Sequence, residues 1–261
     1  MRLADLATPG AILFDLDGTL VDTVGRRVDS WREAFAEIEV HADSDRIGRL
    51  IGADGKRLAR ETAAAAGAHL TEDDIAAIDR RAGAIFSDLN RVPIPLPGAR
   101  DLLLALADGP LAVVIATSSL GAQVIASVDA LGLPSRPTIV DGEHVKHAKP
   151  APDLLRLAAA RVGVAPAACW YVGDATWDFL ACVAAGMTGI AVPTGAVDAT
   201  TLLEAGAVVE IETLDDLTLE LRRRGLAGGQ GLGGPRSSGQ RRAARPRGCH
   251  PGDASRRPPR A

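Results

Sequence analysis

The stretch "ILFDLDGTLVDT", residues 12 to 23, decides the fold. An apolar run reads as a buried strand that ends in Asp15 and Asp17, with Gly18 and Asp22 following. Side chains two apart on an extended segment point the same way, so Asp15 and Asp17 are expected as two anions crowded at a strand end. Such crowding is costly unless a cation or a shared proton relieves it, and either solution is usually functional.

Further apolar runs follow at regular spacing. "AILFD" (11–15), "LAVVIAT" (111–117), "PTIV" (137–140), "WYVGD" (170–174), "GIAV" (189–192) and "VVEI" (208–211) read as strands separated by helical patterns. That alternation predicts an α/β fold: a Rossmann-like, mainly parallel sheet covered by helices. One gap breaks the rhythm, since about 95 residues separate the first two strands, too many for one crossover. Val28, Trp31, Phe35 and Ile38 recur at helical spacing there, and "RLARETAAAAGA" and "EDDIAAIDRRAGAIFSDL" continue the pattern. The gap therefore reads as an inserted helical domain over 22–92, ended by the proline-spaced "VPIPLPG" (92–98). The core would comprise 1–21 and 93–224.

Composition sets the outer limits. The chain has 261 residues, 47% hydrophobic and 24% charged, enough for a large core plus a smaller module. Its net charge of −4 is uneven: residues 225–261 hold eight arginines and one aspartate, which leaves the remainder at −11. A body that acidic needs local cations to hold an anionic substrate. The tail is rich in Gly, Pro, Ser and Arg and is expected to be disordered. It lacks the interleaved aromatics of sequence-specific nucleic-acid binding, so only weak, salt-sensitive attraction to polyanions is expected of it. No run approaches the length of a membrane span and the N-terminus has no signal-peptide pattern. Cys169, Cys182 and Cys249 fit neither a disulfide framework nor a zinc pattern, which favours a reducing, cytoplasmic setting.

Chemistry is expected where the core strands end, as in open parallel sheets. Thr117, Ser118 and Ser119 close the second strand before a helical pattern, and suit either a phosphate site or plain N-caps. Lys149 precedes Pro150, which biases it to an extended loop ahead of a helix opening near Pro152. "WYVGDATWD" places Asp174 and Asp178 near a helix start, on roughly one face, as a possible site or as caps. His144 and His147 read as surface residues, and Trp31, Trp170, Trp177 and Phe179 as packing.

Taken in order, Asp-x-Asp-Gly-Thr, Thr-Ser-Ser, Lys-Pro and Gly-Asp-x-x-x-Asp resemble the motifs of the haloacid dehalogenase superfamily, over roughly residues 11 to 220. The helical insert after the first motif resembles its C1 cap. The resemblance implies that Asp15 attacks phosphorus to form an aspartyl-phosphate, and that Asp17 serves as general acid and then base. It further implies Mg²⁺ held by Asp15, the backbone carbonyl of Asp17 and Asp174, with Asp178 supporting directly or through water. Thr117, Ser118 and Lys149 would bind the phosphoryl group. Gly52, Gly55 and Lys56 fall in a stretch that resembles the cap's substrate-specificity loop, and Asp22 would order the segment leading to the cap or be a plain solvated carboxylate. The implied partner is a small phosphorylated metabolite of the phosphoglycolate or sugar-phosphate type.

An aspartate at position 17 sets the chain apart from the superfamily's dehalogenases and phosphonatases. A phosphomutase of the β-phosphoglucomutase type is the alternative. Those mutases carry a histidine near Arg27 and a Lys-Asn pair where Leu120 and Gly121 stand here, so the chain resembles a phosphatase more. A non-catalytic binding protein on the same fold is disfavoured because every motif residue is present.

Overall fold

In the computed structural model, which describes residues 1–228, each of the six expected strands belongs to one parallel sheet. The chain forms β1 (Ala11–Phe14) and a short β2 (Val21–Asp22), then four helices, α1 (Val24–Ala36), α2 (Ser44–Leu50), α3 (Gly55–Ala65) and α4 (Glu72–Leu89). It returns through β3 (Ile94–Pro95), antiparallel to β2, into α5 (Ala99–Ala107), β4 (Ala112–Ala116), α6 (Gly121–Ala130) and β5 (Thr138–Val140). There follow α7 (Asp153–Arg161), β6 (Cys169–Gly173), α8 (Thr176–Ala185), β7 (Thr188–Ala191), α9 (Ala199–Glu204), β8 (Val209–Glu210) and α10 (Leu214–Arg223).

The strand order is β5-β4-β1-β6-β7-β8. Leu13 of β1 lies between Val114 of β4 and Tyr171 of β6. The chain moves outward from β1 through β4 to β5, then crosses back to β6 on the other side of β1. The carboxyl end of β1 is thus the topological switch point, where a crevice opens.

All four β1 residues are buried, as a central parallel strand covered on both faces requires. Ile12 and Phe14 pack in the cluster that includes α5, α6 and α10; Ala11 and Leu13 face the cluster that includes α7 and α8. Truncating a buried phenylalanine such as Phe14 costs about 3–5 kcal/mol.

Helices α1 to α4 bury a cluster of their own, with Trp31, Phe35, Ile47, Leu58, Ile75 and Ile85 among its members. Asp43 and Asp54 cap α2 and α3 by accepting the Arg46 and Arg57 amides, and Thr71 with Asp74 forms a capping box on α4. Trp177 of α8 inserts into this cluster, and its Nε1 donates to the Arg49 carbonyl at 3.0 Å. The gap expected to lack strands does contain two, but β2 and β3 are only the paired entry and exit of the helical segment. Ile38, expected on the α1 stripe, lies beyond the helix and is 42% exposed. A turn after Ala36 reverses the chain there, closed by the Val40 amide donating to Phe35.

Among the described residues no helix is long and apolar enough to cross a membrane. Most of the tail, 229–261, lies outside the described residues. For 225–228 the expectation of an unpacked tail is corrected. The Leu226 amide donates to Leu221 and the Gly228 amide to Ala105, while Ala227 is buried and Leu226 packs on the core. Gly225, at φ 69°, turns the chain back after α10 and makes this closure possible.

Candidate active site

Three strand ends meet at the crevice. Asp15 follows β1, Thr117 follows β4 and Asp174 follows β6, and backbone pairing extends past the strands to hold them: the Asp15 amide donates to Val172 and the Thr117 amide to Val140. Lys149, from the loop before α7, is 1% exposed and reaches in beneath them.

Lys149 Nζ donates to Asp15 Oδ1 at 2.6 Å and to Asp178 Oδ1 at 2.7 Å. Tyr171 donates its hydroxyl to that same Asp178 oxygen, while Asp178 Oδ2 accepts the backbone amides of Asp174 and Ala175. Both Asp178 oxygens are therefore committed to protein donors, and the residue's evident effect is to orient Lys149 and the start of α8. Asp174 differs. Its Oδ1 accepts from Thr19 at 2.7 Å, and its other oxygen packs against Gly18, whose φ of 85° and lack of Cβ permit the approach.

The electrostatics are lopsided. Asp15, Asp174 and Asp178 each place an oxygen within 4.8 Å of the others, all buried, against the single ammonium of Lys149. Burial first, then Asp178 and Asp15, hold the Asp174 carboxyl well above its ordinary range, despite Thr19 and Lys149. Asp15 is pushed up to about 7, by burial first, a rise that Lys149 moderates and Asp178 and Asp17 reinforce. Surplus buried anionic oxygen of this kind fits a hard dication.

Asp17 has a separate set of partners. Thr23 donates to its Oδ1 at 2.7 Å, Arg27 of α1 meets its Oδ2 at 3.1 Å, and Ser119 donates to Oδ2 as well. Burial alone would raise this carboxyl, but Arg27, Ser119 and Thr23 together bring it below the usual carboxylate range. Arg27 is itself fixed from three other sides: it donates to Gln123 and Ser119 of the core and stacks 3.5 Å from the centroid of Phe86 on α4. The two aspartates of the opening motif thus share a cavity, each beside its own cation.

That cavity, about 470 Å³, lies between the sheet and the helical segment, in the range of small-molecule sites. Asp15, Asp17, Thr117 and Ser118 form its floor, and Gly52 and Gly55 line it from the helical side. Lys56 is exposed and is not part of the lining. Asp22 is exposed on β2. Ser118 donates to the Gly52 carbonyl at 3.3 Å, while Thr117 Oγ1 accepts the Ser119 amide. The N-terminus of α6, a candidate phosphate site on the sequence, is met by a carboxylate instead, since Glu143 accepts the Gly121 amide. His144 and His147 pair with Asp141 and Asp153 at the surface, and Cys182 is buried, its thiol pushed up to about 12 by burial and then by Asp178.

Sequence reading missed Tyr171, the contact of Thr19 with Asp174, and the joining of Arg27, Gln123 and Ser119. Tyr171 carried a faint signal, a phenol inside an otherwise apolar strand. The contacts of Arg27, a position marked only by comparison with the mutases, carried none, because its partners lie up to 96 positions away.

The haloacid dehalogenase-like hydrolase family matches residues 12–192 of this chain. The chain belongs to that family. Among its relatives, the fructose-1-phosphate phosphatase YqaB of Escherichia coli K12 is 33% identical over 180 residues, covering 69% of this chain and 94% of that protein. The β-phosphoglucomutase of Bacillus subtilis 168 is 29% identical over 216 residues, 81% of this chain and 92% of that one. A solved hydrolase from Pseudomonas syringae superposes with a TM-score of 0.77 at 32% identity, covering 82% of this chain and 98% of that one.

Proposed function

We propose that the protein is a Mg²⁺-dependent phosphatase that hydrolyses a small phosphomonoester through an aspartyl-phosphate on Asp15, with residues 22–92 acting as a cap over the site. The observation that carries this reading is the Asp15–Lys149–Asp178 chain, buried at the switch point with Asp17 beside it on the same cavity floor. Family membership and phosphatase relatives support it.

Asp15 would attack phosphorus, forming the new P–O bond as the bond to the leaving oxygen breaks. A proton from Asp17 goes to that oxygen. Water then attacks the phosphoryl group, Asp17 takes its proton, and the Asp15–phosphorus bond breaks to release inorganic phosphate. Lys149 holds Asp15 in place and offsets anionic charge between nucleophile and substrate, with Thr117 and Ser118 beside the phosphoryl group. The Arg27 contact favours the ionised, base form of Asp17, so the first step requires that contact to loosen. Asp15 and Asp174, with the Asp17 backbone carbonyl, would hold Mg²⁺, and Asp178 would support them. When bound, the ion supplies charge neutralisation and polarises the phosphoryl oxygens.

The test is release of aryl alcohol from an aryl phosphate by the purified full chain. Activity with Mg²⁺ that disappears in excess chelator is expected, and full activity in chelator would contradict the reading. A mutase would convert β-glucose 1-phosphate into glucose 6-phosphate; hydrolysis alone is expected, since Arg27, Leu120 and Gly121 stand where the mutases carry other residues.

A further inference from the structure

Hydrogen-bonding capacity is divided unevenly around the cavity. On its upper side the neutral polar groups are turned to the protein: Gln123 accepts from Arg27 and donates to the Gly83 carbonyl, Ser87 donates to Gly83 and Ser30 to the Arg27 carbonyl. Asp79 of α4 is the exception. Its carboxylate lines the cavity half-buried, and among the described residues it accepts no hydrogen bond. It lies tight against Gly55 at the start of α3, where a Cβ would displace it.

Charge points the same way. Asp54 and Asp79 line this side together with Arg80, whose side chain is exposed, while Arg27 is already engaged with Asp17. Burial and then Asp54 raise the Asp79 carboxyl above its ordinary range, the mark of a place where a further anion is disfavoured. Lys56, Arg80 and Arg27 act on Asp79 in the opposite sense, so its charge is already partly balanced and an incoming ammonium gains little by pairing with it.

We infer that Asp79 is a specificity-determining residue that selects an uncharged, hydroxyl-bearing leaving group, such as a polyol or sugar, and rejects a carboxylate-bearing one. The inference rests on the phosphatase reading of the same cavity. The chemistry is elementary: a carboxylate only accepts hydrogen bonds, so it can bind a hydroxyl that donates but not another carboxylate. A site whose free acceptor is left unpaired by the wrong substrate discriminates strongly.

The experiment compares kcat/KM of the full chain with Mg²⁺ on a hexitol phosphate, phosphoglycolate and phosphoethanolamine, for the unaltered protein, Asp79→Asn and Asp79→Lys. Hexitol phosphate should be preferred over phosphoglycolate at least tenfold. Asp79→Asn should lower that ratio at least fivefold, and Asp79→Lys should shift it further towards phosphoglycolate. Equal or better use of phosphoglycolate or phosphoethanolamine by the unaltered protein would overturn the inference, as would a ratio that neither variant moves. If no substrate, the aryl phosphate included, is hydrolysed, the phosphatase reading falls. Dissociation constants for the same three compounds, measured by calorimetry, then decide the recognition by the same ratios.

Discussion

Lys149 Nζ lies 2.6 Å from Asp15 Oδ1, so the proposed nucleophile is tied to an ammonium that is itself fully enclosed. Burial acts against the lysine's charge, yet Asp15 and Asp178 raise it above the ordinary lysine value. Removing one partner of a buried ion pair leaves an uncompensated charge and typically costs about 3–5 kcal/mol. Lys149→Met should therefore lower the free energy of unfolding by that order and cut aryl phosphate turnover at least a hundredfold. A variant that melts like the unaltered protein and keeps its rate would show that the contact matters little.

Asp15→Asn keeps the shape of the site but removes the attacking oxyanion. Turnover should fall to background, and no acid-stable phospho-enzyme should form with labelled substrate. Retention of even a tenth of the rate would rule out the covalent route.

The Arg27–Asp17 contact invites a different comparison. Arg27→Ala frees Asp17 from its cation and also removes the stack on Phe86, and turnover is expected to drop about tenfold or more. Arg27→Lys should not restore it, because a point charge cannot reach Asp17, Gln123 and Ser119 together as the planar guanidinium does. Full recovery by lysine would mean that charge alone is needed.

A pH dependence follows from the acidic cluster. Asp15 is raised to about 7 in the fold and sits near 4 when unfolded, so the metal-free native state binds the extra proton between these values. Its contribution to stability is complete below about pH 4 and is lost as pH rises through about 7. Asp174 acts in the same direction. A dication binds the deprotonated form, so the rise in melting temperature on adding Mg²⁺ should be larger at pH 8 than at pH 5. Equal shifts at the two values would contradict this.

The end of α10 can be examined by truncation. A chain ending at Gly225 loses the Gly228–Ala105 hydrogen bond and the packing of Leu226 and Ala227, whereas one ending at Gly228 keeps them. Thermal melts should place the shorter chain a few degrees below the longer one. Identical melting temperatures would show that this closure adds no stability.

Local signals were enough for the sheet and for the ends of its strands. Six apolar runs and the residues that close them, Asp15, Thr117 and Asp174, were legible because a buried parallel strand must be apolar along its length and must stop where polar side chains reach the crevice. The helical segment was legible from its 3.6-residue period, and its boundary at Ile38 failed because a turn leaves no periodic trace. What only the tertiary structure decided is how charge is apportioned. In sequence Asp15 and Asp17 look like one crowded pair; in the fold Lys149, 134 positions from Asp15, and Arg27, on the helical segment, take one each. Asp178 became an anchor for Lys149 through Tyr171 and two amides, and Asp79 acquired its place by packing against Gly55. Hydrogen bonds and ion pairs act over a few ångströms, and only folding brings such distant residues within that range.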